Sequence, residues 1–104
     1  MKKIGIKMSS IAEGRLLARV KGRVQGVGFR YYVMNAAVEL GLTGWVRNRR
    51  DGSVEVLAEG DVDQIKSLMG VLERGSRSSA VMEVKTKLQP ASGEFDSFYV
   101  RPTL

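Results

Sequence analysis

VQGVGFR, residues 24–30, decides how the rest of the chain is read. Before it, residues 15–21 (RLLARVK) alternate with the two-residue period of a strand, and after it apolar residues recur at helical spacing. The stretch is therefore a strand-to-helix connection. Gly26 and Gly28 bracket Val27, and glycine reaches positive φ without a Cβ clash, so successive N–H groups can turn inward as a concave nest for an anion. A helix beginning near Phe29 adds its unpaired first-turn N–H groups and the positive end of its dipole. Arg30 adds a planar guanidinium, charged at any ordinary pH, that can grip two oxygens of a phosphate or carboxylate. The group that suits all three is phosphoryl. The same residues also read as an ordinary glycine turn followed by a solvated arginine. No Gly-Lys-Ser/Thr follows, which excludes a P-loop, and no third glycine follows Gly28, which excludes a dinucleotide fingerprint.

Working outward, the strand before this turn places Leu16, Ala18 and Val20 on one side and Leu17, Arg19 and Lys21 on the other, and Gly22 ends it. The helix after it carries an apolar stripe of Phe29, Tyr32, Val33, Ala36, Ala37 and Leu40, closed by Gly41 as a left-handed residue with Leu42 packing back. Tyr31 and Tyr32 admit two readings, a ligand contact or packing against the core or its rim, and packing is the commoner one for aromatic residues beside such a stripe. GLTGWVRN (41–48), the turn Arg50-Asp51-Gly52 and SVEVLAEG (53–60) then form a hairpin. In its second strand Val54, Val56 and Ala58 meet the core, while Ser53, Glu55, Leu57 and Glu59 lie on a largely wet face whose carboxylates are solvated. Asp61 opens a second helix, with Gln64 in capping-box order and Val62, Ile65, Leu68, Met69 and Leu72 as its stripe; Gly75 ends it. Met82, Val84, Thr86 and Leu88 alternate as another strand, Pro90 and Gly93 break the chain, and residues 95–100 make a last short extended piece. The predicted class is α+β: a split βαβ domain in βαββαβ order, with a four-stranded antiparallel sheet, two helices on one face and a short extra C-terminal strand.

A chain of 104 residues holds one domain, taken as 15–104, preceded by an N-terminal extension over 1–14. Its 43% hydrophobic and 27% charged residues are those of an ordinary globular protein, and no apolar run of about 18 residues is present to span a membrane. The opening MKKIGIKM has the lysines of a signal peptide but is interrupted by Ser9, Ser10, Glu13 and Arg15, so a cytoplasmic location is expected. Cysteine is absent, which excludes disulfides and thiolate chemistry. Histidine is absent too, which removes the usual general base near neutral pH and the commonest transition-metal ligand. Catalysis here must work by positioning and electrostatics, or through a carboxylate. Seventeen Lys and Arg against eleven Asp and Glu give +6, a balance that attracts phosphates, nucleic acid or acidic substrates.

Asn48 is the second polar candidate. If Val46 faces the helices, the strand period turns Asn48 to the same side, near the start of the first helix and within reach of Arg30. Its amide offers an acceptor and donors without proton exchange, which suits holding a water; the plainer reading is that Asn48 enters the hairpin turn. The string VKGRVQGVGFR, the helix ending LGL, then GWVRN, then DGSVEVLAEG, in this order and spacing, closely resembles the acylphosphatase family. The likeness is strong from Ala18 to Gly75 and looser beyond; residues 1–14 have no counterpart, and Gly75-Ser76 stands where the family commonly has Gly-Pro. The resemblance implies a ferredoxin-like fold and hydrolysis of the carboxyl-phosphate bond of acyl phosphates. It places the catalytic arginine on Arg30, the catalytic asparagine on Asn48, and the phosphate-binding loop on Val24, Gln25, Gly26, Val27, Gly28 and Phe29. It implies a small-molecule acyl phosphate as substrate. No metal, other cofactor, nucleic acid or membrane partner is expected, and the chain is read as a monomer. Two rival readings stand beside it: an RNA-binding module of similar element order, and a phosphate-binding accessory domain without catalysis. The first is weakened because the aromatic run GVGFRYYV opens a helix, whereas an RNA-binding sheet needs its rings on a central strand.

Overall fold

The computed structural model describes residues 12–104. Its elements are β1 (Glu13–Arg23), α1 (Phe29–Glu39), β2 (Thr43–Asn48), β3 (Val54–Asp61), α2 (Val62–Arg74), β4 (Ala80–Gln89) and β5 (Phe98–Val100). Of the expected N-terminal extension, residues 1–11 lie outside the described residues, whereas Glu13 and Gly14 already belong to β1, paired with Asp61 and Gly60.

The alternation in the sequence becomes the two faces of one sheet. Leu16, Ala18 and Val20 of β1 stand opposite Ala58, Val56 and Val54 of β3, and Val46 of β2 stands opposite Val56. These side chains are buried with Phe29, Val33 and Ala37 from α1 and Ile65, Leu68 and Leu72 from α2, so both helices cover the same face. The helix ends follow their local chemistry. Gly41 takes φ 73°, its N–H and that of Leu42 return to Val38 and Ala37, and the Asp61 Oδ1 accepts from the Asp63 N–H at 2.8 Å.

The strand order is β4-β1-β3-β2-β5, and β5 runs parallel to β2. The four expected antiparallel strands are present as β4-β1-β3-β2, and the expected extra C-terminal strand joins the same sheet in parallel, which makes it five-stranded and mixed. The reason is the route of residues 90–97, which leave β4 at one edge and reach the opposite edge by crossing the face without helices. Entry by a crossover, not a tight hairpin, permits parallel pairing. That crossing also overturns the expectation of a wet face at Glu59. The N–H groups of Ser92 and Gly93 and the Ser92 hydroxyl donate to its carboxylate, Arg15 pairs with it, and only 4% of it is exposed. Leu57 is buried on that face as well. Met82 departs from the alternation of β4: the register against β1 shifts between Lys21 and Gly22, and Met82 is left 84% exposed.

Candidate active site

The turn between β1 and α1 has the form its glycines demand. Gly26 and Gly28 take φ 74° and 76°, a left-handed backbone that a residue with a Cβ adopts only at a cost. A Cβ at either would meet nothing within 4 Å, so the side on which it would stand is open. Gly28 is the N-cap of α1, no side chain caps the helix there, and its first turn holds no acidic residue. Among the described residues, no backbone N–H of residues 25–31 has a main-chain or side-chain acceptor. The chain itself leaves this positive helix end unneutralised.

Asn48 reaches the same place from β2. Its neighbours Arg47 and Arg49 both turn to the opposite face, where Arg47 Nε donates to Glu55 Oε1 at 2.9 Å and Arg49 Nη1 to the same oxygen at 3.1 Å. Burial opposes ionisation of Glu55, but these two guanidiniums outweigh it and hold its carboxyl below the usual range. The strand period then aims Asn48 inward. Its Oδ1 is buried without a hydrogen-bond partner among the described residues. A buried amide oxygen in that condition costs about 1–3 kcal/mol unless water or a ligand meets it.

Val24, Gly26, Gly28, Phe29, Arg30, Tyr31 and Asn48 line one cleft of about 160 Å³. At ~30 Å³ per water this is room for about five waters, well below the ~300 Å³ at which sites for drug-sized ligands begin. It fits one small tetrahedral anion. No carboxylate lines it, and among the described residues Arg30 makes no ion pair and no side-chain hydrogen bond, whereas Arg15, Arg19, Arg47 and Arg49 all pair with carboxylates. Four hollows among the described residues are larger, and the two of them that gather more than one cation differ in kind. One of about 520 Å³ between the helices sets Glu39 beside Lys66 and Arg74; one of about 250 Å³ on the open sheet face sets Glu55 beside Arg19, Lys85 and Lys87. Each already carries a balancing carboxylate, and neither contains the run of unpartnered main-chain donors. Among the described residues, no three carboxylates converge to hold a metal ion.

Of the expected site residues, Arg30, Asn48, Val24, Gly26, Gly28 and Phe29 meet at the cleft, while Gln25 and Val27 do not line it. Val27 packs on the core, and the Gln25 side-chain amide bonds the hairpin turn. Tyr31 lines the cleft and is 57% exposed, against the commoner reading that it would pack; Tyr32 does pack, with its hydroxyl donating to the Val71 carbonyl at 2.9 Å. The signal for Tyr31 lay in its position, next to Arg30 and outside the apolar stripe.

The acylphosphatase family model matches residues 16–100. An acylphosphatase from Pseudomonas paraeruginosa is 53% identical over 78 residues, covering 75% of this chain and 86% of its own. One from Salinibacter ruber is 44% identical over 94 residues, covering 90% and 99%. The crystal structure of acylphosphatase from Bacillus subtilis superposes with a TM-score of 0.82 at 38% identity, covering 85% of this chain and 98% of that one. With a cleft of phosphoryl size, an unpaired arginine beside free amides, and likeness along nearly the whole described fold, the chain belongs to the acylphosphatase family.

Proposed function

We propose that this acylphosphatase hydrolyses the carboxyl-phosphate bond of small acyl phosphates in the cleft between the Gly26–Gly28 turn and Asn48. The amides of residues 25–31 and the Arg30 guanidinium bind the phosphoryl oxygens and stabilise charge as the bond to the acyl oxygen loosens. Asn48 Oδ1 accepts a hydrogen bond from water and aims its oxygen at phosphorus. The new bond is water oxygen to phosphorus, and the bond that breaks is phosphorus to acyl oxygen. The carboxylate leaves with that bond's electron pair, and the water's proton passes to a phosphate oxygen. A carboxylate is a weak base and needs no proton to depart, which suits a chain without histidine. The observation that carries this reading is the convergence of an unpaired guanidinium, unpartnered N–H groups and an orphaned amide oxygen on one small cleft.

The proposal includes a cytoplasmic monomer that needs no metal, other cofactor, nucleic acid or membrane. The open sheet face is a poor platform for RNA: the central strands β1 and β3 turn Arg15, Leu17, Arg19, Glu55, Leu57 and Glu59 there, without an aromatic ring, and Trp45, which β2 adds to that face, is buried with the Arg47 and Arg101 guanidiniums over its ring. Phosphate release from benzoyl phosphate, measured in chelator beside an ordinary phosphate monoester, tests the reaction. Fast release from the acyl phosphate alone, unchanged by chelator, is expected; equal or absent release from both would remove the proposal.

A further inference from the structure

We infer that Gln25 is a positioning residue: its side chain sets the span between the phosphoryl-binding turn and Asn48, and so governs water geometry more than phosphate affinity. The inference rests on the reaction proposed above. Pairing of β1 with β3 ends at Val20 and Val54, so the main-chain ladder stops short of both the 24–28 turn and the 48–53 turn. Gln25 Nε2 spans the gap beyond, donating to the Arg49 carbonyl at 2.7 Å and the Ser53 carbonyl at 2.8 Å. Among the described residues these are the only hydrogen bonds joining the two turns. They tie the residue before Gly26 to the residue after Asn48.

The fold does not need these bonds to satisfy its polar groups. The Ser53 carbonyl already accepts from the Arg49 N–H at 2.8 Å, and the Arg49 carbonyl from the Gly52 N–H at 3.1 Å. Asp51 Oδ1 separately takes the Ser53 N–H at 2.9 Å and the Ser53 hydroxyl at 2.6 Å, so the hairpin turn closes on its own. A carbonyl has two lone pairs, and Gln25 occupies the second of each. Both hydrogens of its amide nitrogen are thereby used on groups already paired. The consequence is a fixed distance, and a shift of about 1 Å between a reacting pair costs up to about 10²-fold in rate.

Gln25→Met keeps the length and removes both donors. On benzoyl phosphate its kcat is expected to fall about 10- to 100-fold, with the inhibition constant of inorganic phosphate held within about threefold. In an Asn48→Ala background, where no water-positioning amide remains, the same substitution is expected to lower kcat by less than about threefold. Should circular dichroism find Gln25→Met unfolded, Gln25→Asn, too short to span both carbonyls, is read by the same quantities. Parental kcat in the folded variant, equal losses in rate and phosphate affinity, or the full loss repeated without Asn48 would each overturn the inference. A parent protein inactive on benzoyl phosphate would instead overturn the reaction itself.

Discussion

The proposed reaction gives Arg30 and Asn48 different work, and substitution should separate them. In the proposed reaction Arg30 supplies charge to the phosphoryl group in ground and transition states alike, so Arg30→Ala is expected to weaken phosphate inhibition and to lower kcat/KM by about 10³-fold. In the same proposal Asn48 holds the attacking water, so Asn48→Ala is expected to lower kcat by about 10²-fold while phosphate inhibition changes less than about threefold. Steady-state kinetics with phosphate as competitor reads both, and an Asn48→Ala variant losing affinity as much as rate would make Asn48 a binding residue. The roles differ in how openly the sequence declares them. Arg30 is legible because two glycines and a helix start stand beside it. Asn48 is ambiguous because asparagine enters turns as readily as it faces a site, and only the outward pairing of Arg47 and Arg49 with Glu55 settles its direction. The direction of Gln25 was hidden, since its partners are main-chain carbonyls 24 and 28 residues away.

At the level of elements, the site depends on β2 being drawn tightly into the sheet. Gly44 makes that possible: it takes φ 133°, and a Cβ there would overlap the Leu57 carbonyl oxygen of β3. Its N–H also receives the last strand's approach, donating to the Ser97 carbonyl at 2.9 Å. Gly44→Ala is therefore expected to destabilise the protein by more than about 3 kcal/mol, read as a lowered denaturant midpoint; a midpoint within error of the parent would show that β2 can shift freely. The helices, the hairpin and both helix ends were readable from periodicity and glycine placement, because each depends on neighbours in sequence. The fifth strand itself was legible near residues 95–100, but its parallel place beside β2 was not, because residues 90–97 hold the face they cross through contacts with Arg15 and Glu59 from strands far away in the chain. An alternating strand gives no sign that its solvent side will be covered.

Across the whole molecule, the two faces of the sheet divide the labour: one buries the apolar core under the helices, the other pins the crossing segment by charge. Burial opposes the charge on Glu59, but the Ser92 and Gly93 amides, Arg15 and the Ser92 hydroxyl overcome it and hold its pKa at about 2, against an ordinary 4.5. The folded value is the lower one, so the unfolded chain binds the proton first; this contribution to stability is present above about pH 4.5 and is lost as pH falls towards 2. Denaturation midpoints over that range should drop less steeply for Glu59→Gln than for the parent, and parallel profiles would deny Glu59 the role. None of that machinery lines the cleft, where, among the described residues, the Arg30 guanidinium and unpartnered amides gather with no carboxylate beside them. The most direct test follows amide resonances while inorganic phosphate is added. The N–H signals of residues 25–31 should move furthest and together, and Arg30→Ala should abolish the response at the same phosphate concentrations. Movement centred on Arg19, Lys85 and Lys87, with residues 25–31 unmoved, would contradict the assignment.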